Sequence, residues 1–323
     1  MLVVTLGDPY SISLECLFQI KDLWADNRSG PTVLVGAFEQ WRHQASELKF
    51  SLPKIHKISD WSDIKANDLY FLDVGEGKYG GPPASLSERD RGEVATRALE
   101  KLRTLKPSAK LCVVTAPIDK FVASQAGFSF PGQTEFFADL WQEKAIMILA
   151  GPQLRVALAT NHVKLSDVTP LITEELICQK IEKFDRSLRD VLHIAKPRIA
   201  VAALNPHAGD KGMFGDEDTK IILPAVERMK AKGFDVTGPK PADTVFFQAY
   251  SGHFDGVLAM YHDQGLAPLK ALHFYDAVNI SGGLPHLRIS PDHGPASEIY
   301  GKNLAQVQSF RQSLIHARQY LGW

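Results

Sequence analysis

Gly256-Val-Leu-Ala-Met-Tyr-His-Asp-Gln-Gly265 is a short apolar run followed at once by a polar loop, and the same arrangement occurs twice more in the chain. The other two runs are Arg155–Thr160 and Ile199–Leu204, and each leads within a few residues to a histidine. Short apolar runs bounded by polar turns are typical of buried parallel strands. Because ligands of α/β proteins bind outside the carboxyl ends of such strands, we expect the three histidines to share a functional edge of a sheet.

The three histidines are His162, His207 and His262. Three imidazole nitrogens with a fourth position left open make a catalytic metal site. The set lacks the i, i+4 spacing of a helix-borne zinc motif, so its geometry depends on the fold bringing three loops together. The sequence therefore predicts a divalent metal centre. Zinc, magnesium and cobalt all remain candidates, because histidine-rich sites accept several divalent ions.

The remaining sequence alternates between apolar, strand-like runs and amphipathic helical stretches. We predict strands at 2–6, 32–38, 69–74, 110–115, 154–160, 199–204 and 256–261, and helices at 86–105, 134–143, 169–194 and 219–232. This alternation favours an α/β fold with central, mostly parallel sheets. A chain of 323 residues is too long for one ordinary core and suits two packed units.

Composition and charge limit the class of protein. Hydrophobic residues make up 45% of the chain and charged residues 23%, as in an average soluble protein. The formal net charge of −1 provides no basic field for nucleic acid or an anionic membrane. No apolar run approaches the roughly 20 residues that span a bilayer, and Met1 leads directly into a strand-like run. We expect a cytoplasmic protein that binds neither nucleic acid nor membrane.

A second set of polar residues lies downstream of the third histidine. Lys270, Asn279 and Arg288 recur at intervals of nine in a segment rich in glycine and proline. Two cations and an amide that converge on one pocket suit a ligand with a phosphate or carboxylate group. From spacing alone, however, exposed and solvated surface charge is the better interpretation.

A possible nucleotide loop follows at Asp292-His-Gly294. A His-Gly loop ahead of a helix can present backbone N–H groups to a phosphate. The chain contains neither the G-x-G-x-x-G fingerprint nor a P-loop, so a dinucleotide would need another mode of binding.

Nine short stretches together carry a resemblance to a known family. They are Gly7-Asp-Pro9, Thr115-Ala-Pro-Ile-Asp-Lys120, Gly132-Gln-Thr-Glu-Phe-Phe137, Leu204-Asn-Pro-His-Ala-Gly209, Gly238-Pro-Lys-Pro-Ala-Asp-Thr244, Tyr261-His-Asp-Gln-Gly-Leu266, Val278-Asn-Ile280, Gly283-Leu-Pro285 and Asp292-His-Gly294. In these stretches the chain resembles the 4-hydroxythreonine-4-phosphate dehydrogenase family, the PdxA enzymes of vitamin B6 synthesis. The stretches run in the family's order over essentially the whole chain.

The resemblance implies a two-domain fold like that of the isocitrate and isopropylmalate dehydrogenases, with the active site in the cleft between the domains. We expect one domain at 1–125 plus about 280–323, and a second, carrying the metal-ligand loops, at about 126–279. The resemblance further implies an obligate homodimer in which His162, His207 and His262 bind the metal, one of them from the partner subunit.

Other site residues follow from the same resemblance. Lys270, Asn279 and Arg288 fall on the family's substrate-binding positions, as do Gln133 and Thr134. The loop of His293 and Gly294 resembles the adenosine-binding loop of this dehydrogenase group. The resemblance also implies NAD or NADP as the cofactor, and the sequence does not distinguish the two.

The implied reaction is the metal-dependent, NAD(P)-linked oxidation of 4-phosphohydroxy-L-threonine. The product, a 2-amino-3-oxo-4-phosphate acid, decarboxylates, and the reaction belongs to pyridoxal phosphate biosynthesis. The general base is not identified by the sequence. Asp243, Asp263 and Lys270 are the catalytic candidates, and Asp263, adjacent to His262, is favoured as a partner that orients the histidine.

The chain departs from the family pattern at four places. Gly7-Asp-Pro-Tyr-Ser-Ile-Ser-Leu-Glu15 has lost two glycines and a proline, and Gln133 replaces a substrate-contacting histidine. Pro295 replaces a threonine or serine, and Ser281-Gly282 replaces Thr-Leu. Two alternatives therefore remain open. One is the same chemistry on another four-carbon phosphorylated hydroxy acid, such as a phosphoerythronate. The other is a non-catalytic paralogue that binds metal or nucleotide.

Overall fold

The structure, a computed structural model, describes residues 1–25, 29–107 and 110–323. Contacts divide the chain into two compact units, which are Met1–Gln142 with Pro285–Trp323 (unit 1) and Glu143–Leu284 (unit 2). The first division falls later than the expected position near 125. The cause is helix Gln133–Leu140, which is held in unit 1 by a hydrogen bond to Ala116 and by an ion pair of Asp139 with Arg103.

Twelve strands are formed by the described residues. In chain order they are β1 Leu2–Thr5, β2 Thr32–Gly36, β3 His56–Ile58, β4 Leu69–Asp73, β5 Cys112–Thr115, β6 Ile146–Ala150, β7 Arg155–Leu158, β8 Ile199–Ala202, β9 Val236–Lys240, β10 Gly256–Ala259, β11 Val278–Gly282 and β12 Leu287–Pro291.

The α-helices of the described residues also number twelve. They are α1 Ser13–Gln19, α2 Lys21–Trp24, α3 Phe38–Glu47, α4 Glu88–Glu100, α5 Lys120–Gln125, α6 Gln133–Leu140, α7 Leu165–Leu171, α8 Glu174–Asp190, α9 Leu223–Ala231, α10 Ala242–Tyr250, α11 His262–His273 and α12 Gln308–Leu321. In the part of the chain that the structure describes, none of the helices has the length and apolar character needed to cross a membrane.

The strands of unit 1 lie in the order β3-β4-β2-β1-β5-β12, and each neighbouring pair is parallel. Strands β1, β2 and β5 are buried along their whole length, as expected for a parallel sheet covered on both faces. The strand order reverses direction beside β1, because β2 lies on one side of it and β5 on the other. A ligand of unit 1 is therefore expected outside the carboxyl ends of β1 and β5.

The loops that follow β1 and β5 are in direct contact. Asp8 donates its backbone N–H to the Pro117 carbonyl oxygen at 3.1 Å. Gly7 has φ +67°, and a Cβ at this position would lie 2.3 Å from the same Pro117 oxygen. Only glycine fits this close approach with a positive φ, so Gly7 brings the two loops together at the predicted ligand edge.

Unit 2 has a mixed sheet in the order β11-β6-β7-β10-β8-β9. Strands β7, β10, β8 and β9 are parallel, whereas β6 runs antiparallel to both β7 and β11. Its core contains Val156, Leu158 and Val257 from the sheet, with Leu266 and Leu269 of α11 packed against them.

All seven predicted strands are confirmed by the structure. The predicted helix 169–194 is wrong as a single element, because the chain is extended at Thr173, whose hydroxyl oxygen caps α8 by accepting the Leu176 N–H. The strands missed by the sequence analysis are β3, β6, β9, β11 and β12. Two of these carry predicted substrate residues, so Asn279 and Arg288 lie on strands rather than in loops.

Candidate metal and substrate sites

The three predicted metal ligands follow neighbouring parallel strands of unit 2. Strand β10 pairs with β7 on one side and with β8 on the other, so the carboxyl ends of all three strands lie at one edge. His162 follows β7, His207 follows β8, and His262 follows β10 as the first residue of α11. The three histidines therefore follow strands that end at one edge of the sheet, as we expect from the sequence.

Gln264 joins the ends of two of these strands. Its side-chain oxygen accepts the Met260 N–H at 2.7 Å, and its side-chain nitrogen donates to the Ala203 carbonyl at 2.7 Å. The next residue, Gly265, lets α11 lie close to the sheet, since a Cβ there would be 2.6 Å from a Val156 methyl. The His-Asp-Gln-Gly sequence thus fixes the start of α11, and with it the position of His262.

His162 and His262 are adjacent, with ring centroids 5.4 Å apart. The Nδ1 atom of His262 lies 2.7 Å from a carboxylate oxygen of Asp263. A carboxylate at Nδ1 holds the proton there and leaves the Nε2 lone pair available, which is the usual arrangement of a metal-binding histidine. The side chain of His262 remains about one-third exposed, at 34%.

His207 lies in an unusual left-handed turn. Five consecutive residues, 207–211, have positive φ values of 53°, 55°, 79°, 39° and 56°, and only Gly209 among them is glycine. Each non-glycine residue in this conformation costs about 1–2 kcal/mol. Such strain persists only where surrounding contacts impose it, and it is concentrated at functional sites.

Asp218 supplies those contacts at the start of the turn. This fully buried carboxylate accepts the backbone N–H groups of Leu204 and Asn205 at 2.8 and 3.0 Å, and the Asn205 side-chain N–H at 3.0 Å. Three charge-assisted hydrogen bonds fix the chain just before His207.

The three imidazole side chains are suitable ligands for a divalent ion. Within one chain, however, His162 and His262 are adjacent while His207 is turned elsewhere. Two adjacent imidazoles, one of them oriented by a carboxylate, suit zinc and similar ions. The ring of His207 lies beside Phe214 instead, with 6.5 Å between ring centroids. Over the described ranges 1–25, 29–107 and 110–323, no three His, Cys, Asp or Glu side chains form a group that could hold a metal ion.

Changing Asp218 to asparagine should weaken metal binding without unfolding the protein. An amide keeps the side-chain shape but cannot accept all three hydrogen bonds, so the turn and His207 become less well positioned. We expect the dissociation constant for Zn²⁺ to rise about 10–100-fold, as for other residues that orient metal ligands. Competition with a chromophoric chelator measures this constant.

The matched control is Asp216→Asn, which removes an exposed carboxylate two residues away that pairs with Lys220. We expect no change in zinc affinity in this control. Equal affinities for the Asp218 variant and the parent protein would exclude a role of the turn in metal binding.

Arg288 lies at the ligand edge of unit 1 and is buried, with 4% of its surface exposed. Its Nη2 and Nε atoms donate to the Thr115 hydroxyl at 2.8 and 3.2 Å, and its Nη1 atom lies 3.4 Å from the Thr134 hydroxyl. Thr115 is the last residue of β5. The interpretation of Arg288 as exposed surface charge is therefore wrong, because β12 pairs with β5 and directs this side chain inward. We call Thr115, Gln133, Thr134 and Arg288 the Arg288 cluster.

The charge of Arg288 is poorly solvated. Burial lowers the pKa of its guanidinium well below the ordinary value, to about 10, while the nearby charge of Glu135 acts in the opposite direction. The group is still protonated at neutral pH. A positive charge in a medium of low dielectric constant attracts an anion more strongly than one in water, so the cluster is suited to a phosphate or carboxylate group.

Two predicted substrate residues carry buried amide oxygens that have no hydrogen-bond partner among the residues that the structure describes. In unit 1, Gln133 donates its Nε2 to the Ala116 carbonyl at 3.1 Å, while its Oε1 atom is unpaired. In unit 2, the Oδ1 atom of Asn279 is unpaired in the same way. Buried polar atoms are nearly always paired in folded proteins, so each of these oxygens is a candidate contact for a ligand.

The remaining catalytic candidates belong to unit 2. Lys270 lies on α11, with its ammonium nitrogen 5.4 Å from the centre of the Phe274 ring. Asp243 is exposed in the first turn of α10, and the Asp263 side chain is also exposed beyond its contact with His262.

The predicted adenosine loop is fixed against the altered loop that follows β1. Pro295 accepts the Ile12 N–H at 3.0 Å, and the Ser297 hydroxyl donates to the Tyr10 carbonyl at 2.5 Å. The rings of Tyr10 and Tyr300 pack with centroids 5.2 Å apart. Among the described residues other than its two chain neighbours, no atom lies within 4 Å of a Cβ built at Gly294, so a ligand has room to approach this backbone closely. The loop therefore fits a nucleotide at Gly294.

Similarity to solved structures and to curated proteins defines the class. Isocitrate dehydrogenase from Methylococcus capsulatus has the same fold, with a TM-score of 0.51 and 11% identity over 99% of this chain and 84% of that one. 4-Hydroxythreonine-4-phosphate dehydrogenase from Klebsiella pneumoniae gives a TM-score of 0.81 and 34% identity over 99% of each chain. The expected isocitrate dehydrogenase-like fold is confirmed, and the named relatives make this chain an oxidoreductase.

The family follows from the sequence comparisons. The family model described as pyridoxal phosphate biosynthetic protein PdxA matches residues 28–317. D-threonate 4-phosphate dehydrogenase from Pectobacterium atrosepticum is 38% identical over 329 residues, covering 99% of this chain and 98% of that protein. The chain belongs to the PdxA family.

Proposed function

We propose that this protein oxidises the 3-hydroxyl group of a four-carbon acid that is phosphorylated at carbon 4. The acceptor is NAD or NADP, and a divalent ion such as zinc, magnesium or cobalt occupies the histidine site. The observation that carries the proposal is the buried Arg288 guanidinium at the carboxyl end of β5, which suits an anionic substrate. The substrates named for the two relatives above, 4-hydroxythreonine 4-phosphate and D-threonate 4-phosphate, both belong to this class.

The overall reaction balances as an oxidation followed by decarboxylation. A nicotinamide cofactor held at His293 and Gly294 would supply the hydride acceptor for carbon 3, and a divalent ion held by His162, His207 and His262 would supply a Lewis acid for the oxygen on that carbon. The carbon 3 hydroxyl proton passes to a base, for which Asp243, Asp263 and Lys270 are the candidates. The resulting β-keto acid loses carbon dioxide as the bond between carbons 1 and 2 breaks, and carbon 2 takes up a proton.

The residues of the chain bind and orient the reactants. In unit 1, Arg288 and Thr134 hold an anionic group of the substrate, and Gln133 contacts a neighbouring polar group. The nucleotide is bound by His293 and Gly294.

In unit 2, Lys270 and Asn279 are the substrate-binding residues. Asp263 orients His262 through their 2.7 Å contact. Holding the reacting carbon in place is itself a large contribution to rate.

The active form that we propose is a homodimer with the metal site at the subunit interface. The chain segments that carry His162 and His207 also carry exposed apolar side chains. These include Val163, Leu165, Met213 and Phe214, which are between 41% and 74% exposed. Apolar side chains grouped beside a site are typical of an interface. A second copy of the chain would cover them and supply one of the three histidines.

A substrate panel tests the proposal. Purified protein loaded with Zn²⁺, Mg²⁺ or Co²⁺ is incubated with NAD or NADP and with 4-phosphohydroxythreonine, 4-phospho-D-threonate or 4-phospho-D-erythronate. We expect reduction of the nicotinamide, seen at 340 nm, with at least one of these acids, and none with the unphosphorylated acids. Metal and nucleotide binding without turnover of any acid would contradict the proposal and favour a non-catalytic paralogue.

A further inference from the structure

We propose that Gln133 determines substrate specificity by accepting a hydrogen bond from a neutral hydroxyl group on carbon 2. This chain therefore prefers a 2,3-dihydroxy acid 4-phosphate to a 2-amino-3-hydroxy acid 4-phosphate. The inference rests on the proposed function and specifies its substrate.

The orientation of the Gln133 carboxamide is fixed by its neighbour. The Ala116 carbonyl lies 3.1 Å from Nε2, and a carbonyl oxygen can only accept a hydrogen bond. The amino side of the amide must therefore face Ala116. The opposite atom, Oε1, is buried and has no partner within residues 1–25, 29–107 and 110–323. The site thus presents a fixed acceptor, and the ligand group that satisfies it must be a donor.

The charge of the Arg288 cluster favours a neutral donor. The residue next to Gln133, Thr134, contacts the buried guanidinium of Arg288. An ammonium group beside Gln133 would bring a second positive charge near this poorly solvated guanidinium, whose charge the nearby Glu135 carboxylate already offsets in part. Its direct partner at Gln133 would be a neutral amide oxygen rather than a carboxylate. A hydroxyl group needs one neutral acceptor and adds no charge. Burying an unpaired charge costs more than burying a hydrogen-bonded hydroxyl, so the hydroxy acid binds better.

Steady-state kinetics on three substrates test this inference. They are 4-phospho-D-threonate, 4-phosphohydroxythreonine and the 2-deoxy acid 3-hydroxy-4-phosphobutanoate, which lacks any donor on carbon 2. For the parent protein we expect kcat/KM to be at least about tenfold higher for the threonate than for the amino acid. Isothermal titration with each acid gives affinities that do not depend on turnover.

The first variant is Gln133→Met, which keeps an unbranched side chain of similar length but has no strong acceptor. We expect KM for the threonate to rise about tenfold, the usual effect of losing one hydrogen bond to a ligand. KM for the 2-deoxy acid should stay within about twofold, because the hydrogen bond is already missing. This non-additivity distinguishes a direct contact from a structural effect.

The second variant is Gln133→Glu, which places a carboxylate where the amide was. We expect the ratio of kcat/KM for the amino acid to that for the threonate to increase at least about tenfold, since a carboxylate pairs with an ammonium group. The matched control is Gln142→Met. Gln142 also donates its Nε2 to a backbone carbonyl, that of Asp139 at 2.7 Å, but it is exposed and should leave all three substrates unaffected.

The outcomes separate the inference from the proposed function. A parent protein that uses the amino acid better than the threonate overturns the inference and leaves the function intact. The same holds if Gln133→Met impairs the 2-deoxy acid as much as the threonate. A parent protein that neither binds nor oxidises any of the three acids overturns the proposed function itself.

Discussion

Replacing His262 with alanine should remove the bound divalent ion and lower kcat/KM by at least about a thousandfold. An ion that polarises the reacting oxygen contributes several kcal/mol to stabilising the transition state, and each 1.4 kcal/mol is about a factor of ten in rate. The folded structure should persist, because the His262 side chain is about one-third exposed and is not part of the core. Metal content by atomic emission and initial rates at 340 nm measure the two effects.

His253→Ala is the control for this substitution. His253 is an exposed histidine of the same unit, and its Nδ1 atom is bonded locally to the Gln248 carbonyl at 3.2 Å. We expect this variant to keep both its metal and its activity. If His262→Ala retained a full equivalent of metal, His262 would not be a ligand.

Arg288→Met should abolish productive substrate binding while leaving the protein about as stable as the parent. The guanidinium is the buried cation of the cluster, and methionine fills a similar volume without charge. Removing one partner of a buried, charge-assisted contact costs about 2–5 kcal/mol of binding. We therefore expect kcat/KM to fall about 30- to 4,000-fold, with NAD binding unchanged. A decrease of less than about threefold would exclude Arg288 from the substrate site.

The stability of the same variant follows from the lowered pKa of Arg288. Its folded-state pKa of about 10 lies below the ordinary value of an arginine, so folding disfavours the charged form. That cost, on the order of 3 kcal/mol, is fully present below pH 10 and is lost only as the pH rises above the folded-state pKa toward the higher unfolded-state pKa. Removing the charge recovers this cost, while the lost hydrogen bonds to Thr115 and Thr134 offset part of it. We expect melting temperatures of parent and variant to agree within a few degrees between pH 6 and 8.

The sequence predicted the strands best where apolar residues follow one another without interruption. Runs such as Val257–Ala259 and Ala200–Ala202 are buried on both faces, so composition alone identifies them as parallel strands, and the histidine that follows each can be placed at a sheet edge. The sequence did not predict the strands β11 and β12. There, Asn279, Ser281, Gly282 and Arg288 interrupt the apolar pattern, and the segment reads as a loop.

The residues that position the site were not predictable from local sequence. Thr115 holds the Arg288 guanidinium across 173 residues of chain, and no spacing rule connects the two. Asp218 anchors the turn before His207 although it stands after a glycine-containing polar segment that is typical of a surface loop. Both roles depend on contacts that exist only after the strands have paired.

The structure also refines the meaning of one departure from the family pattern. From the sequence, Gln133 in place of a histidine removes a titratable group but keeps a hydrogen-bonding side chain. The bond to Ala116 fixes which atom of the amide faces the ligand, and that atom is an acceptor. A 2-hydroxy acid thus becomes a better candidate than the 2-amino acid that the resemblance first implied.

The most direct test of the proposed reaction measures both of its products together. Metal-loaded protein is incubated with NAD or NADP and 4-phospho-D-threonate labelled with ¹³C at carbon 1, and the reduced nicotinamide and the labelled carbon dioxide are quantified. We expect one equivalent of each per substrate consumed, and neither product from protein stripped of metal by a chelator until Zn²⁺, Mg²⁺ or Co²⁺ is returned. Equal rates from stripped and reloaded protein would contradict the metal dependence, and the absence of both products from this acid and from 4-phosphohydroxythreonine would contradict the dehydrogenase function.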